Sequence, residues 1–488
     1  MNTLSLRSQL AGSLLWCAMF ALPAAAVAQP LQAELRQAVS AARLGPVEIS
    51  VCVIDVESGQ VLASMNEKQT MVPASNLKIL TSGAALITLG AEFKFSTKFS
   101  ISGTQLIVTG DGDPGLADPK LLAAAGMTLD EFFLRLTKEI GARGGQGITE
   151  VIIDDRVFDS EFVHPSWPKN QLDAWYAAPV TGLNFYTNCV EFFIAPASRT
   201  GGAPSVRTIP AGAHVEVRNS ARTVGGDSTD LSVARGDKAG FTVSGSVASK
   251  LRQVEPIEVT MQDPSMMFGQ ILAEKLTAAG LAVAAPTVRR VNSGETLPKG
   301  TVAAIVTTPI DAVLSRCNVN SQNLYAEALL KRMGHAVSGQ PGSWQNGSAV
   351  VRMLVAERLG SEVGELALAD GSGLSRDNKL TTSLLCNWLV AMAKDKRHAG
   401  PFLASMADLK SERVADRFKN RKLAGNVHAK TGFISGVQSL SGYVTSANGQ
   451  RRAAYSVIIN NTNKAAAGAK VKEFHEDVVQ AVDRYLAK

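Results

Sequence analysis

The sequence predicts an α+β fold: an antiparallel sheet flanked by helices, built from both ends of the chain and split by a large, mostly β insertion. Three observations predict it. Alternating apolar and polar residues, typical of strands, occur near both termini. Stretches with helical periodicity adjoin these strands. Between them, from about residue 95 to 258, short β-like segments are interrupted by turns such as Gly110-Asp111-Gly112-Asp113-Pro114.

The elements at the two ends are expected to assemble into one domain. This domain is predicted to comprise residues 29–93 and 262–488, with residues 94–261 forming one or two inserted domains. Long amphipathic helices are expected to resume after the insertion, over residues 264–281 and 310–333. In chain order, the elements predicted at the two ends are helix 31–44, strands 47–54 and 61–63, helix 77–89, strands 427–433, 439–445 and 453–459, and helix 466–486.

The composition is that of a folded protein without a nucleic-acid partner. The chain has 488 residues, of which 45% are hydrophobic and 19% charged, so sizeable cores can form and general disorder is excluded. The net charge is +6, and no run of five or more like charges would attract nucleic acid. The six histidines show no metal-ligand spacing, and no Gly-rich segment has the Gly-Lys-Ser/Thr of a phosphate loop. We therefore expect neither a metal nor a cofactor.

Residues 1–28 are expected to form a secretory signal peptide. Arg7 precedes a short apolar stretch, and the small residues Ala26-Val27-Ala28 favour cleavage before Gln29. An uncleaved anchor is the alternative, although the apolar run is short for the ~20 residues that span a bilayer. The mature chain is predicted to be periplasmic. Four cysteines do not make a disulfide framework, but one or two bridges could form after export. These four are Cys52, Cys189, Cys317 and Cys386.

Ser75-Asn76-Leu77-Lys78 lies where a loop enters a helix. Its spacing puts the hydroxyl and the amine on one face, about one turn apart. A desolvated lysine loses pKa and can act as a base toward the serine. By itself the pattern is more typical of a helix cap with a solvated lysine. Ser166-Trp167-Pro168-Lys169 has the same spacing, but Pro168 would sit inside the helical turn that this chemistry needs.

Two further short motifs carry groups suited to peptide chemistry. Ser321-Gln322-Asn323 is predicted between two helices, where a hydroxyl can relay a proton and an amide can hold a carbonyl. Lys430-Thr431-Gly432 is predicted on a strand, where a cation and a hydroxyl suit a carboxylate and glycine allows close backbone approach. Each motif alone has an ordinary structural explanation, but all three occur in one order and in fitting contexts.

Together these motifs resemble the serine penicillin-recognising enzymes, which include class A β-lactamases and penicillin-binding proteins. The closer resemblance is to the class C low-molecular-mass penicillin-binding proteins, the D-alanyl-D-alanine carboxypeptidase/endopeptidase family. The long interval between Ser75 and Ser321 is similar to that family's insertion into a transpeptidase/β-lactamase-like domain. Further similar stretches are Gly110–Pro114, Ala178-Pro179-Val180-Thr181-Gly182-Leu183, Asp370-Gly371-Ser372-Gly373-Leu374-Ser375 and Ser439-Leu440-Ser441-Gly442-Tyr443-Val444.

The resemblance implies cleavage of peptidoglycan stem peptides and cross-links through an acyl-enzyme, with no cofactor and with β-lactam antibiotics as acylating inhibitors. Ser75 would attack the bond between two D-alanines and Lys78 would take its proton. Ser321 and Lys430 would return a proton to the leaving amine. The implied substrate-binding residues are Asn323, Lys430, Thr431, Gly432 and Phe433, with the backbone N–H groups of Ser75 and Phe433 as the oxyanion hole.

One position departs from the family pattern, and two alternatives stay open. Phe433 stands where D-Ala-D-Ala carboxypeptidases often carry threonine, so a hydroxyl for the substrate carboxylate is lost. A β-lactamase is one alternative; it would need a deacylation base, and nothing in the sequence ties Glu327, on the helix after Ser321, to the site. A catalytically silent wall-binding protein is the other. The sequence leaves the oligomeric state open and allows a homo-oligomer.

Overall fold

The structure is a computed structural model, and it describes residues 30–236, 240–252, 255–360, 365–462 and 468–488. The predicted signal peptide lies outside the described residues. Within these ranges no helix has the length and apolar character needed to cross a membrane.

Twelve helices and eighteen strands are formed by the described residues. The helices are α1 (Pro30–Ala42), α2 (Lys78–Leu89), α3 (Pro119–Ala124), α4 (Leu129–Ala142), α5 (Pro264–Ala278), α6 (Ile310–Asn318), α7 (Asn323–Ser338), α8 (Trp344–Leu359), α9 (Thr382–Lys394), α10 (Ala399–Ala404), α11 (Glu412–Phe418) and α12 (Gly468–Ala487). The strands are β1 (Glu48–Asp55), β2 (Val61–Met65), β3 (Lys94–Ser102), β4 (Gln105–Gly110), β5 (Glu150–Asp154), β6 (Cys189–Ala195), β7 (Ser205–Ile209), β8 (Glu216–Asn219), β9 (Arg222–Val224), β10 (Asp230–Arg235), β11 (Gly240–Ala248), β12 (Ile257–Thr260), β13 (Thr287–Arg290), β14 (Thr301–Pro309), β15 (Ala407–Asp408), β16 (Asn426–Ile434), β17 (Val437–Thr445) and β18 (Arg452–Asn460).

The two ends of the chain meet in one antiparallel sheet, as predicted. Its strand order is β15-β16-β17-β18-β1-β2. Helices cover both faces, so β17 and β18 are buried along almost their whole length. Alternate residues divide between two cores: Val427 and Ala429 face the core closed by α1, α11 and α12. The opposite face packs against the helical layer α2 and α6–α10. The α+β fold class is confirmed.

The inserted material has its own hydrophobic core and three smaller sheets. They are five-stranded (β13-β5-β4-β3-β14), three-stranded (β12-β6-β7) and four-stranded, the last made of β8 to β11. Residues 264–309 belong to this assembly, because β13 and β14 are strands of the five-stranded sheet and α5 packs on β5 and β13. The limits of the inserted material, 94 and 261, stay a prediction. In the structure the chain returns to the helical layer at Ile310, where α6 begins.

Two of the three motifs lie where elements of the first domain begin or end, and Lys430-Thr431-Gly432 lies within β16. A single 3-10 turn (Ala74–Leu77) leads into α2 and packs against β16 and β17. The helical pattern predicted over residues 310–333 is divided into α6 and α7 by a short loop that contains Ser321.

The described residues include four buried cysteines with free thiols: Cys52, Cys189, Cys317 and Cys386.

Candidate active site

Ser75 and Lys78 are joined by a hydrogen bond at the start of α2. Ala74 has a φ of +48°, a left-handed conformation that alanine rarely adopts, and it turns the chain into the 3-10 turn that carries Ser75. Lys78 Nζ lies 3.0 Å from Ser75 Oγ, to which it donates. The i, i+3 spacing therefore produces the predicted contact.

Lys78 is fully buried, and its amine is enclosed by acceptors from two other elements. Nζ donates to Asn323 Oδ1 at 2.6 Å and to the Ser372 carbonyl oxygen at 2.9 Å. Burial lowers the pKa of Lys78 from its ordinary 10.5 to about 8, although the nearby acidic groups of Glu327 and Asp370 act in the opposite direction. The amine is thus poised to lose its proton near neutral pH.

Ser321 and Lys430 form a second pair beside the first. Ser321 has a φ of +59° in the loop between α6 and α7, and its Oγ accepts a hydrogen bond of 2.8 Å from Lys430 Nζ. The Lys430 amine also donates to the Thr431 carbonyl oxygen at 2.8 Å. Burial, with the charge of Lys78, lowers the pKa of Lys430 well below its usual value. Two amines that share one buried region disfavour each other's protonation.

The Lys430–Phe433 stretch of β16 is held directly against the 3-10 turn. Asn76 Nδ2 donates to the Lys430 carbonyl oxygen at 2.7 Å, and Asn76 Oδ1 accepts from Ser441 on β17 at 2.7 Å. Gly432 is required by this approach. A Cβ at position 432 would overlap the Ser439 hydroxyl and lie 3.0 Å from Ser75 N. The strand thereby runs beside the backbone of Ser75.

An open cleft of about 740 Å³ lies above these residues. Ser75, Ser321, Asn323 and Thr431 line it, and the Phe433 ring stands at its edge with 72% of its surface exposed. The cleft can therefore admit a peptide chain alongside β16. Its further lining includes Trp175, Tyr176, Leu374, Arg376, Arg413, Ile434 and Gln438.

The structure brings the residues of the three motifs together. The second Ser-x-x-Lys sequence takes no part in this cluster. Ser166 Oγ is hydrogen bonded to His164 and to Ser375, and Lys169 is exposed. The neighbouring Trp167 is buried and donates to Asp370 Oδ2 at 2.9 Å. This segment supports the turn around Asp370 instead of supplying a nucleophile.

Several contacting residues were missed by sequence reasoning. Asn76 lies inside the first motif, but only its packing on β16 gives it a function. Asn323 is held by a bond of 2.7 Å from its Nδ2 to the carbonyl oxygen of Tyr176, which no motif indicated. The expectation that nothing ties Glu327 to the site is wrong: its carboxylate accepts hydrogen bonds from the backbone of Gly371 and Ser372, and Ser372 in turn accepts from Lys78.

Known proteins share this fold. A crystal structure of penicillin-binding protein 4 from Haemophilus influenzae superposes with a TM-score of 0.74, at 22% identity, over 93% of this chain and 99% of that one. At this identity the likeness shows the fold alone. It agrees with the transpeptidase-like architecture that the sequence motifs implied.

Sequence comparisons identify relatives along nearly the whole chain. A D-alanyl-D-alanine carboxypeptidase of Actinomadura sp. (strain R39) is 29% identical over 452 residues, which cover 87% of this chain and 79% of the relative. The D-alanyl-D-alanine carboxypeptidase DacB of Haemophilus influenzae is 25% identical over 442 residues and covers 86% of both. The family model of D-Ala-D-Ala carboxypeptidase 3 (S13) matches residues 31–482. The chain therefore belongs to the D-Ala-D-Ala carboxypeptidase 3 (S13) family of serine hydrolases, which confirms the resemblance to the low-molecular-mass penicillin-binding proteins.

Proposed function

We propose that this chain cleaves the D-Ala-D-Ala termini and the cross-links of peptidoglycan stem peptides, with Ser75 as nucleophile. The observation that carries the proposal is the contact between Ser75 Oγ and the buried Lys78 amine, 3.0 Å apart at the floor of an open cleft. Family membership supports the substrate class. The roles of the individual residues rest on their geometry.

The first step is acylation, and it needs Lys78 without its proton. Neutral Lys78 takes the Ser75 proton while Oγ attacks the carbonyl carbon between the two D-alanines. We assign the developing oxyanion to the backbone N–H groups of Ser75 and Phe433, and the close approach of Gly432 to Ser75 N supports this assignment. A donor in such a position contributes about 3–4 kcal/mol to the transition state.

The second step expels the leaving amine. Ser321 Oγ can give its proton to this nitrogen and receive one from Lys430 Nζ, to which it is hydrogen bonded. The proton that Lys78 took from Ser75 offsets the one that Lys430 loses, so the two neighbouring amines together neither gain nor lose a proton. Asn323 is hydrogen bonded to the Lys78 amine and to the Tyr176 carbonyl oxygen, and it lines the cleft. We assign to its side-chain amide the binding of the amide group in the acyl part of the substrate. Water then hydrolyses the ester and frees Ser75.

The substrate carboxylate is recognised from β16 and α11. Thr431 lines the cleft beside the Lys430 amine, whereas Phe433 offers no hydroxyl. Arg413, in the first turn of α11, also lines the cleft and is exposed, and among the described residues it makes no ion pair. We assign to Arg413 the part of carboxylate binding that the absent hydroxyl would otherwise supply.

The contacts of Glu327 argue against the β-lactamase alternative. An efficient β-lactamase needs a base that activates water at the acyl ester. Glu327 is fully buried and does not line the cleft, and N–H donors occupy both of its carboxylate oxygens. A slowly hydrolysed penicilloyl ester on Ser75 is therefore expected, with β-lactams acting as inhibitors.

Export to the periplasm belongs to the same proposal, because the substrate lies outside the cytoplasmic membrane. The predicted cleavage before Gln29 is tested by N-terminal sequencing of the protein from a periplasmic extract. A homo-oligomer stays a prediction, and sedimentation of the mature chain would test it.

The test of the nucleophile is the intact mass of the mature protein after brief exposure to benzylpenicillin. A lasting adduct of one penicillin is expected on the wild type and on Lys169→Met, which alters the second Ser-x-x-Lys sequence at an exposed residue, but not on Ser75→Ala. Consumption of penicillin without an adduct would favour a β-lactamase. If the drug stays intact and no adduct forms, the acyl-enzyme proposal fails and a silent wall-binding protein becomes the better interpretation.

A further inference from the structure

The turn from Asp370 to Ser375 forms one wall of the Lys78 pocket. Its Ser372 carbonyl oxygen accepts a hydrogen bond of 2.9 Å from Lys78 Nζ. The turn is also seated on the backbone that leads into Ser75: Gly373 has a φ of +85°, and a Cβ there would overlap the Ala74 carbonyl oxygen. A small displacement of this turn would therefore move an acceptor of the base and the support of the nucleophile together.

The position of the turn is set by the carboxylate of Glu327 on α7. Oε2 accepts from Gly371 N at 2.7 Å and from Trp344 Nε1 at 2.8 Å, and Oε1 accepts from Ser372 N at 2.8 Å. All three partners are N–H donors, so an ionised carboxylate satisfies every contact. A protonated acid or an amide would turn a donor of its own toward this site.

We infer that Glu327 is a positioning residue for acylation: its carboxylate holds the Gly371–Ser372 peptide so that the Ser372 carbonyl oxygen receives the Lys78 amine. The inference rests on the proposed function, because it assigns Lys78 as the base. Glu327 does not touch the substrate. It acts by holding the turn and by its charge, which lies near the Lys78 amine.

The charge of Glu327 gives this role a measurable signature. Burial raises the pKa of Glu327 to about 7, and the neighbouring Asp370 adds to this. Glu327 is therefore ionised where Lys78 titrates, near pH 8, and its negative charge favours the protonated form of Lys78. The ionisable groups around it are Lys78 of α2, Cys317 of α6, Lys331 of α7, Asp370 of the turn and, beyond Trp344, His164.

The test is the pH dependence of acylation by benzylpenicillin in Glu327→Gln. Glutamine keeps the size of the side chain, but it removes the charge and directs an N–H at a backbone donor. We expect the rate at pH 8 to fall about tenfold, and the ascending limb of the pH profile to move to lower pH by about one unit, since Lys78 loses a neighbouring negative charge. Glu476→Gln is the matched control: Glu476 is a buried glutamate that pairs with Arg421, and it should leave the limb in place.

A slower rate with an unmoved limb in Glu327→Gln would overturn the inference, because a merely structural role predicts that result. If this variant does not fold, Trp344→Phe provides the second test. This variant keeps Glu327 and removes one of the donors to its carboxylate. The pKa of Glu327 should then rise, so Glu327 stays neutral to higher pH. The ascending limb of the pH profile should therefore also move to lower pH, by a smaller amount than in Glu327→Gln. An unmoved limb in Trp344→Phe would equally refute the role. Failure of the proposed function looks different, since the wild type would then carry no adduct on Ser75.

Discussion

Replacing Lys78 by methionine removes the buried amine and keeps the shape of its stem. If Lys78 is the base that takes the Ser75 proton, its loss should slow acylation by about 10²–10⁴-fold, the usual contribution of a positioned general base. Ser75 would remain in the same 3-10 turn, because the Asn76 bonds that hold the turn to β16 and β17 do not involve Lys78.

The structure also predicts how the wild-type rate depends on pH. With the pKa of Lys78 at about 8, roughly one-tenth of the amine is neutral at pH 7 and roughly nine-tenths at pH 9. The neutral amine is the base, so the rate should rise about tenfold over this range and then level off. At the ordinary pKa of 10.5, the rise would be roughly a hundredfold with no plateau.

The assay is rapid-quench mass spectrometry of penicillin adducts, with the second-order rate constant measured from pH 6 to 9.5. Lys169→Met is the matched control, because Lys169 is the exposed lysine of the second Ser-x-x-Lys sequence and should leave the profile unchanged. The reasoning is refuted if Lys78→Met retains acylation within tenfold of the wild type, or if the wild-type rate is still rising steeply at pH 9.5.

The remaining predictions concern the strand beside the nucleophile and the carboxylate site. Gly432→Ala should lower acylation at least tenfold, because a Cβ there overlaps the Ser439 hydroxyl and crowds Ser75 N; an unchanged rate would show that the strand can retreat without loss. Asn76→Ala should lower the free energy of unfolding by about 1–3 kcal/mol, since it leaves buried partners without a hydrogen bond; equilibrium urea denaturation measures this, and an unaltered midpoint would contradict it. Arg413→Ala should raise the KM of a D-Ala-D-Ala peptide with a free carboxylate about tenfold and barely affect the C-terminal amide, whereas equal effects on both peptides would exclude carboxylate binding by Arg413.

The sequence by itself determined the local elements and the chemistry they carry. A period of two predicts β16–β18, and helical spacing alone puts Ser75 and Lys78 one turn apart. Such patterns involve residues only a few positions apart in the sequence, so they can be recognised without knowledge of the fold. The order of the three motifs also predicted the family, although each motif alone was uninformative.

The tertiary structure decided what surrounds those groups. Lys78 contacts Asn323 and Ser372, which lie far along the chain, and only the packing of α2 against α7 and the Asp370–Ser375 turn removes its amine from water. Its low pKa follows from that burial, not from the motif. Glu327 and Asn76 gain their functions in the same way, because a hydrogen bond between distant segments depends on how whole elements pack. No periodicity along the sequence encodes such contacts.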